Sequence, residues 1–192
     1  MVLDAGWFDY SQTRSAGEDL LFVDADNTTV LAHEIERWDE SGTSYIWVKV
    51  PQINAWDGTD HIWMYYGNED APDRQRPAAV WTRGYVAVWH LNETAIDEAT
   101  SATHYDSTNN NNDGTQNRSQ SSGGFIAGGQ YFDGNSDYIQ VPGAGLQLTG
   151  TQMTIEAWAR PTGEPHQYSH VAGAGSTGRH WQQVGQIGRA HV

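Results

Sequence analysis

Apolar residues along the chain come in short runs and two-residue alternations, and a helical period is hard to find. Leu20 to Val23 are continuously apolar, and Asp26-Asn27 then supplies turn chemistry. Residues 30–38 read as the next strand, with Glu34 and Glu36 on one face. In 44–50, Tyr45, Trp47 and Lys49 alternate with Ile46, Val48 and Val50, and 61–66 ends at Gly67-Asn68. Residues 71–77, with two prolines and three charges, read as a connector, and 84–91 as a further strand. The polar stretch 94–124 carries four consecutive asparagines and reads as loop. Strands are expected again at 129–132, 138–141 and 153–159. Short strands with turn residues between them predict an all-β fold of the sandwich or barrel kind.

The change in character near Arg83 predicts two modules, 1–83 and 84–185. The last seven residues, QIGRAHV (186–192), match the in-frame translation of a sequencing-adapter oligonucleotide and are set aside from fold reasoning. Both ends read as cut, so the lack of a basic and apolar leader in MVLDAGWFDY carries no cytoplasmic inference.

Composition narrows the partners. With 24 Asp plus Glu against 10 Lys plus Arg, the formal charge is −14, which excludes nucleic-acid backbones and anionic membrane surfaces as partners. Lys49 is the only lysine, and such an Asp-rich, Lys-poor surface stays hydrated at high ionic strength. No apolar run approaches the roughly 18 residues needed to cross a bilayer, so no membrane insertion is expected. With no cysteine there are neither disulfides nor thiolate metal sites.

Specific strings then match families. Within residues 19–91, HEIERWD (33–39), YIWVKVP (45–51), IWMYYGN (62–68) and VAVWHLNE (86–93) resemble the bacterial domain-of-unknown-function family 2341. From residue 86 on, DSTNNNNDGT (106–115), YFDGNSDYIQVP (131–142) and MTIEAWARP (153–161) resemble the first half of a concanavalin A-like, laminin-G type (LamG-like) jelly roll. These resemblances imply a small β-sandwich module followed by a truncated jelly-roll sandwich. They also imply a place among the other domains of a large extracellular or cell-surface protein, where such sandwiches serve as glycan-binding or adhesive modules.

Residues 106–113 crowd hard oxygen donors of the kind calcium prefers, although the EF-hand pattern is not met. The laminin-G resemblance carries a rim calcium onto Asp106, Asn112 and Asp133, against a solvated Asn-rich turn as the competing reading. Asp24-Ala-Asp26-Asn27 reads better as a turn closed by its own side chains. Glu34 and Glu36 stand at roughly 6.6 Å of axial spacing on a strand, which touches the carboxylate separation of inverting glycosidases. Their order is not that of sandwich glucanases, and Glu156 belongs to a sheet scaffold in the resemblance, so no catalytic residue is expected. The 173–178 string GAGSTG lacks the strand, helix and acid of a dinucleotide site, and His166 and His170 lack a third ligand. Sequons at Asn27, Asn92 and Asn117 are assigned no role.

Nine tryptophans and nine tyrosines leave aromatic stacking on sugar rings as the strongest chemistry. Trp47, Trp63, Trp89 and Trp158 fall inside strand patterns and are expected in the core, whereas Trp56 and Trp181 are the expected ligand-binding residues. The expectation is a non-catalytic carbohydrate-binding or adhesive module with a glycan or cell-surface polysaccharide as partner. A sandwich glycoside hydrolase and a structural spacer of a surface stalk are the alternatives.

Overall fold

The computed structural model of the chain describes residues 1–53, 58–142, 146, 152, 154–161 and 171–172. These are nearly all β. The elements are β1 (Val2–Asp4), a 3-10 turn (Tyr10–Gln12), β2 (Leu21–Asp24), β3 (His33–Arg37), β4 (Thr43–Val48), β5 (Ile62–Tyr65), the single-turn helix α1 (Pro77–Val80), β6 (Thr103–His104), β7 (Gly114–Asn117), β8 (Gln120–Gly123), β9 (Gly128–Tyr131) and β10 (Tyr138–Gln140). Every strand pairing is antiparallel, in sheets ordered β1-β4-β3, β2-β5, β10-β7-β6 and β8-β9. The chain divides into two compact units. The first is Met1–Tyr85 with Ser107–Asn109, and the second is Val86–Asp106 with the described residues from Asn110 on.

In the first unit, alternation decides which residues go inside. Ser44 and Ile46 of β4 are buried while Tyr45 and Trp47 are only half-covered, as the period of two requires. Leu3, Phe8, Tyr10, Leu20, Phe22, Leu31 and Ile46 form one apolar core, against which Ile35, Val48, Ile62 and Met64 pack, so both sheets of this unit share it. Two polar groups fix its edge. The Tyr10 hydroxyl shares its one hydrogen between the Leu3 carbonyl, at 3.1 Å, and Ser44 Oγ, at 2.8 Å, and Ser44 Oγ accepts the Asp39 N–H at 2.9 Å. The turn after β2 is closed as its residues suggest: Asp26 accepts the N–H groups of Thr28 and Thr29 and the Thr29 hydroxyl, and Asn27 takes a positive φ of 57°.

The second unit is held differently. Its buried apolar residues, among those described, are Leu91 and Ala95, while His104, Asp106, Asn112, Gln116, Ser119 and Gln130 are also buried. Gln130 Nε2 donates to the carbonyls of Leu91 (3.1 Å) and Glu93 (2.9 Å), and Gln116 Nε2 donates to those of Ile96 (2.7 Å) and Ser119. These amides satisfy backbone groups that would otherwise be buried without partners.

Three expectations about elements are corrected. Residues 94–124 are not simply loop, because β6, β7 and β8 lie within them. Residues 84–91 form no strand, only an isolated pair between Trp89 and Asp106. Residues 154–159 carry no strand either. The polarity of GTQN and QSSG hid β7 and β8: the buried positions of β7 are Gly114 and Gln116, and β8 buries no residue.

Candidate functional site

The loop proposed for calcium is braced by its own hydrogen bonds. Asp106 is buried; its Oδ1 accepts the Val88 N–H at 3.0 Å and its Oδ2 the Asn112 N–H at 2.9 Å. Asn112 is buried too, its Nδ2 donating to the Val86 carbonyl at 2.8 Å and its own carbonyl accepting the Trp89 indole N–H at 2.8 Å. The Asp106 N–H donates to Asp113 Oδ1 at 2.8 Å. Asp106 and Asn112 are thus brought together as parts of a closed turn.

Asp133 belongs to another group. Its carboxylate, with those of Glu98 and Asp137, places one oxygen each within 4.8 Å of the others. Arg118 Nε lies 3.4 Å from Glu98, and Asp137 Oδ2 accepts the Asp133 N–H at 2.8 Å. Asp137 Oδ1 is covered and has no hydrogen-bond partner among the described residues. Burial raises the Asp137 carboxyl above its ordinary range, and the charges of Asp133, Glu98 and Asp97 push the same way against the Asp133 N–H. Three convergent carboxylates with one orphaned oxygen match the donor set of a hard divalent cation. Glu98 escaped the sequence reading because its segment meets the turn holding Asp133 and Asp137 only in three dimensions.

The two glutamates weighed for hydrolysis are engaged otherwise. Pairing of β3 with β4 steps from Ile35 opposite Ile46 to Arg37 opposite Tyr45, so Glu36 is the extra residue of a bulge and the simple one-face spacing fails. Glu34 is buried; its Oε2 accepts the Trp81 indole N–H at 2.5 Å and its Oε1 the Ser107 hydroxyl at 2.6 Å. Glu36 Oε2 accepts the Trp47 indole N–H at 2.5 Å, and the two indoles meet edge to face with centroids 5.1 Å apart.

Trp56 and Trp181, like His166, His170 and the 173–178 glycine string, lie outside the described residues. Among the described residues, one exposed aromatic stripe sits on β5. Ile62 and Met64 face the core, which turns Trp63 and Tyr65 outward at 46% and 44% exposure, and Tyr66 follows at 41%. This corrects the placement of Trp63 in the core, and Trp158, 63% exposed, is corrected likewise. Trp47 and Trp89 are half-buried.

Both outward rings are braced. The Tyr65 hydroxyl donates to Asn27 Oδ1 at 2.5 Å, and His61 stands edge-on to Trp63 at 5.0 Å. Beyond Tyr65 the chain turns at Gly67, whose φ of 88° suits glycine. Buried Asp19 clamps that turn, accepting the Gly67 N–H at 2.6 Å and the Arg14 N–H at 2.9 Å. Between them lies a hollow of about 330 Å³ whose lining includes Tyr65, Tyr66, Asn68, Asp70 and Arg74. Aromatic faces beside amide, carboxylate and guanidinium groups offer stacking and hydrogen bonding together.

No helix among the described residues is long and apolar enough to cross a membrane. No curated protein and no solved structure matches the chain. A family model does match, over residues 16–137, from the approach to β2 through most of the second unit's strands and including the exposed stripe of β5. The chain therefore belongs to the family described as "Domain of unknown function (DUF2341)".

Proposed function

We propose that the chain is a non-catalytic carbohydrate-binding or adhesive module of a secreted or cell-surface protein with several domains. The observation that carries this reading is the braced outward pair Trp63 and Tyr65 beside the Tyr65–Tyr66 hollow. Rings one strand repeat apart, roughly 6.6 Å, offer parallel stations for the apolar faces of sugar units. Because Asn27 and His61 hold them before any ligand arrives, little side-chain entropy is lost on binding. The glutamates support the non-catalytic side, since the indoles of Trp81 and Trp47 donate to their carboxylates. The resemblance of the second unit to the start of a laminin-G sandwich is consistent with the same role.

Calcium is assigned within this reading to Glu98, Asp133 and Asp137 rather than to Asp106 and Asn112, whose hydrogen bonds close their loop and tie it to Val86 and Val88. Glycan-array screening of the full chain, beside its Trp63→Ala and Tyr65→Ala variants, tests the function. Binding that drops at least about tenfold in either variant is expected, equivalent to about 1.4 kcal/mol. An array without signal, or binding that both variants retain in full, overturns it.

A further inference from the structure

A second hollow, of about 450 Å³, lies in the same unit, lined among others by Trp7, Asp9, Ser11 and Glu40, and none of the described residues lining it is basic. Trp7 is 67% exposed at this hollow. Buried Phe8 joins the two sites. It meets Trp7 edge-on at 6.1 Å and Tyr66, which lines the first hollow, at 5.1 Å. Trp7 lines the second hollow and Tyr65 and Tyr66 line the first, and Phe8 fastens Trp7 and Tyr66 to the core.

The charge around these hollows has one sign in excess. Residues 1–85 hold fifteen acidic and six basic side chains. Asp9 and Glu40 flank Trp7, and Asp9 is kept ionised by the Ser11 and Gln12 donors that hold its carboxylate. An indole face beside two carboxylates attracts an ammonium group through the ring quadrupole and through Coulomb attraction. The same two carboxylates repel the charge of a uronic-acid or sulfated sugar. An uncharged sugar would stack on the indole and donate hydroxyls to the carboxylates, but it would gain no Coulomb attraction.

Resting on the carbohydrate-binding reading above, we propose that the two hollows are consecutive subsites of one track for an extended polysaccharide that carries free amino groups. The amine sits between Trp7, Asp9 and Glu40, and neighbouring sugar units stack on Tyr66 and Tyr65 in the other hollow.

The test titrates the full chain with β-linked glucosamine oligosaccharides, dimer to hexamer, and with their N-acetylated counterparts, at about 0.1 M salt. Affinity is expected to rise with chain length, and the free-amine hexamer to bind about tenfold tighter than the acetylated one. Trp7→Ala should remove the gain with length, and Glu40→Gln should narrow the preference for the amine. Both side chains are exposed, so an unchanged melting temperature verifies that the variants fold. Equal affinity for the two series, or a length dependence that survives Trp7→Ala, overturns the proposal while leaving a carbohydrate-binding module intact. Failure of every glycan, on the array and in these titrations, overturns both.

Discussion

Single residues carry more than their size suggests where a polar group is shut away from water. The Tyr10 hydroxyl serves Leu3 and Ser44 inside the apolar core, so Tyr10→Phe leaves a carbonyl and a hydroxyl short of a donor. Denaturant titration of this variant should show a loss of about 1–2 kcal/mol. His33 is 1% exposed and packs edge-on against Phe22 at 5.1 Å. Its pKa is lowered, chiefly by burial; Asp73 opposes the shift and Arg76 adds to it. The unfolded chain then binds the imidazole proton more readily than the folded one. The contribution of His33 to stability is therefore whole above the ordinary histidine range and is lost as pH falls below about 6.5. Melting temperature should drop between pH 7.5 and 5, and less steeply in His33→Gln; parallel curves would refute the assignment.

At the scale of elements, the strands are set by alternation and ended by turn chemistry. Gly67, at the end of β5, holds a φ of 88° that disfavours any side chain, and a Cβ there would stand 3.3 Å from the Gln12 carbonyl. Gly67→Ala should cost about 1–2 kcal/mol, read by thermal unfolding, and should weaken glycan binding because the turn borders the hollow. The β3 bulge shows why a strand pattern alone misplaced a carboxylate pair. Alternation locates Glu34 and Glu36 on one face only while pairing with β4 stays in register, and the register shifts between Ile35 and Arg37. Likewise, an outward position on β5 was legible in the alternation of Ile62, Trp63, Met64 and Tyr65. Hydrophobicity argued for burying Trp63, and the two-stranded β2-β5 sheet leaves it half exposed.

For the whole molecule, the two units rest on different physics. Phe22→Ala removes a ring from the apolar core of the first unit and should cost about 3–5 kcal/mol. Gln130→Ala in the second unit strands the carbonyls of Leu91 and Glu93 and should cost about 1–3 kcal/mol. Asp137→Asn relieves repulsion with Asp133, Glu98 and Asp97, so without calcium it should raise the melting temperature and with calcium abolish any stabilisation by the ion. The charge of −14 opposes compaction, and added NaCl should raise the melting temperature by screening it.

The sequence by itself determined the all-β class, strands β2 to β5 to within a few residues though not β1, the turn at Asp26 and the family, because periodicity, turn propensity and motif strings are local properties. Only the tertiary structure decided that Glu36 sits in a bulge, that Asp106 and Asn112 tie their loop to Val86 and Val88, that Glu98 meets Asp133 and Asp137, and that Trp63 and Tyr65 look outward beside a hollow. Each of these depends on which distant segment arrives opposite a residue. Strand register, bulges and the pairing of buried polar groups settle that across the whole fold, and no local pattern encodes it.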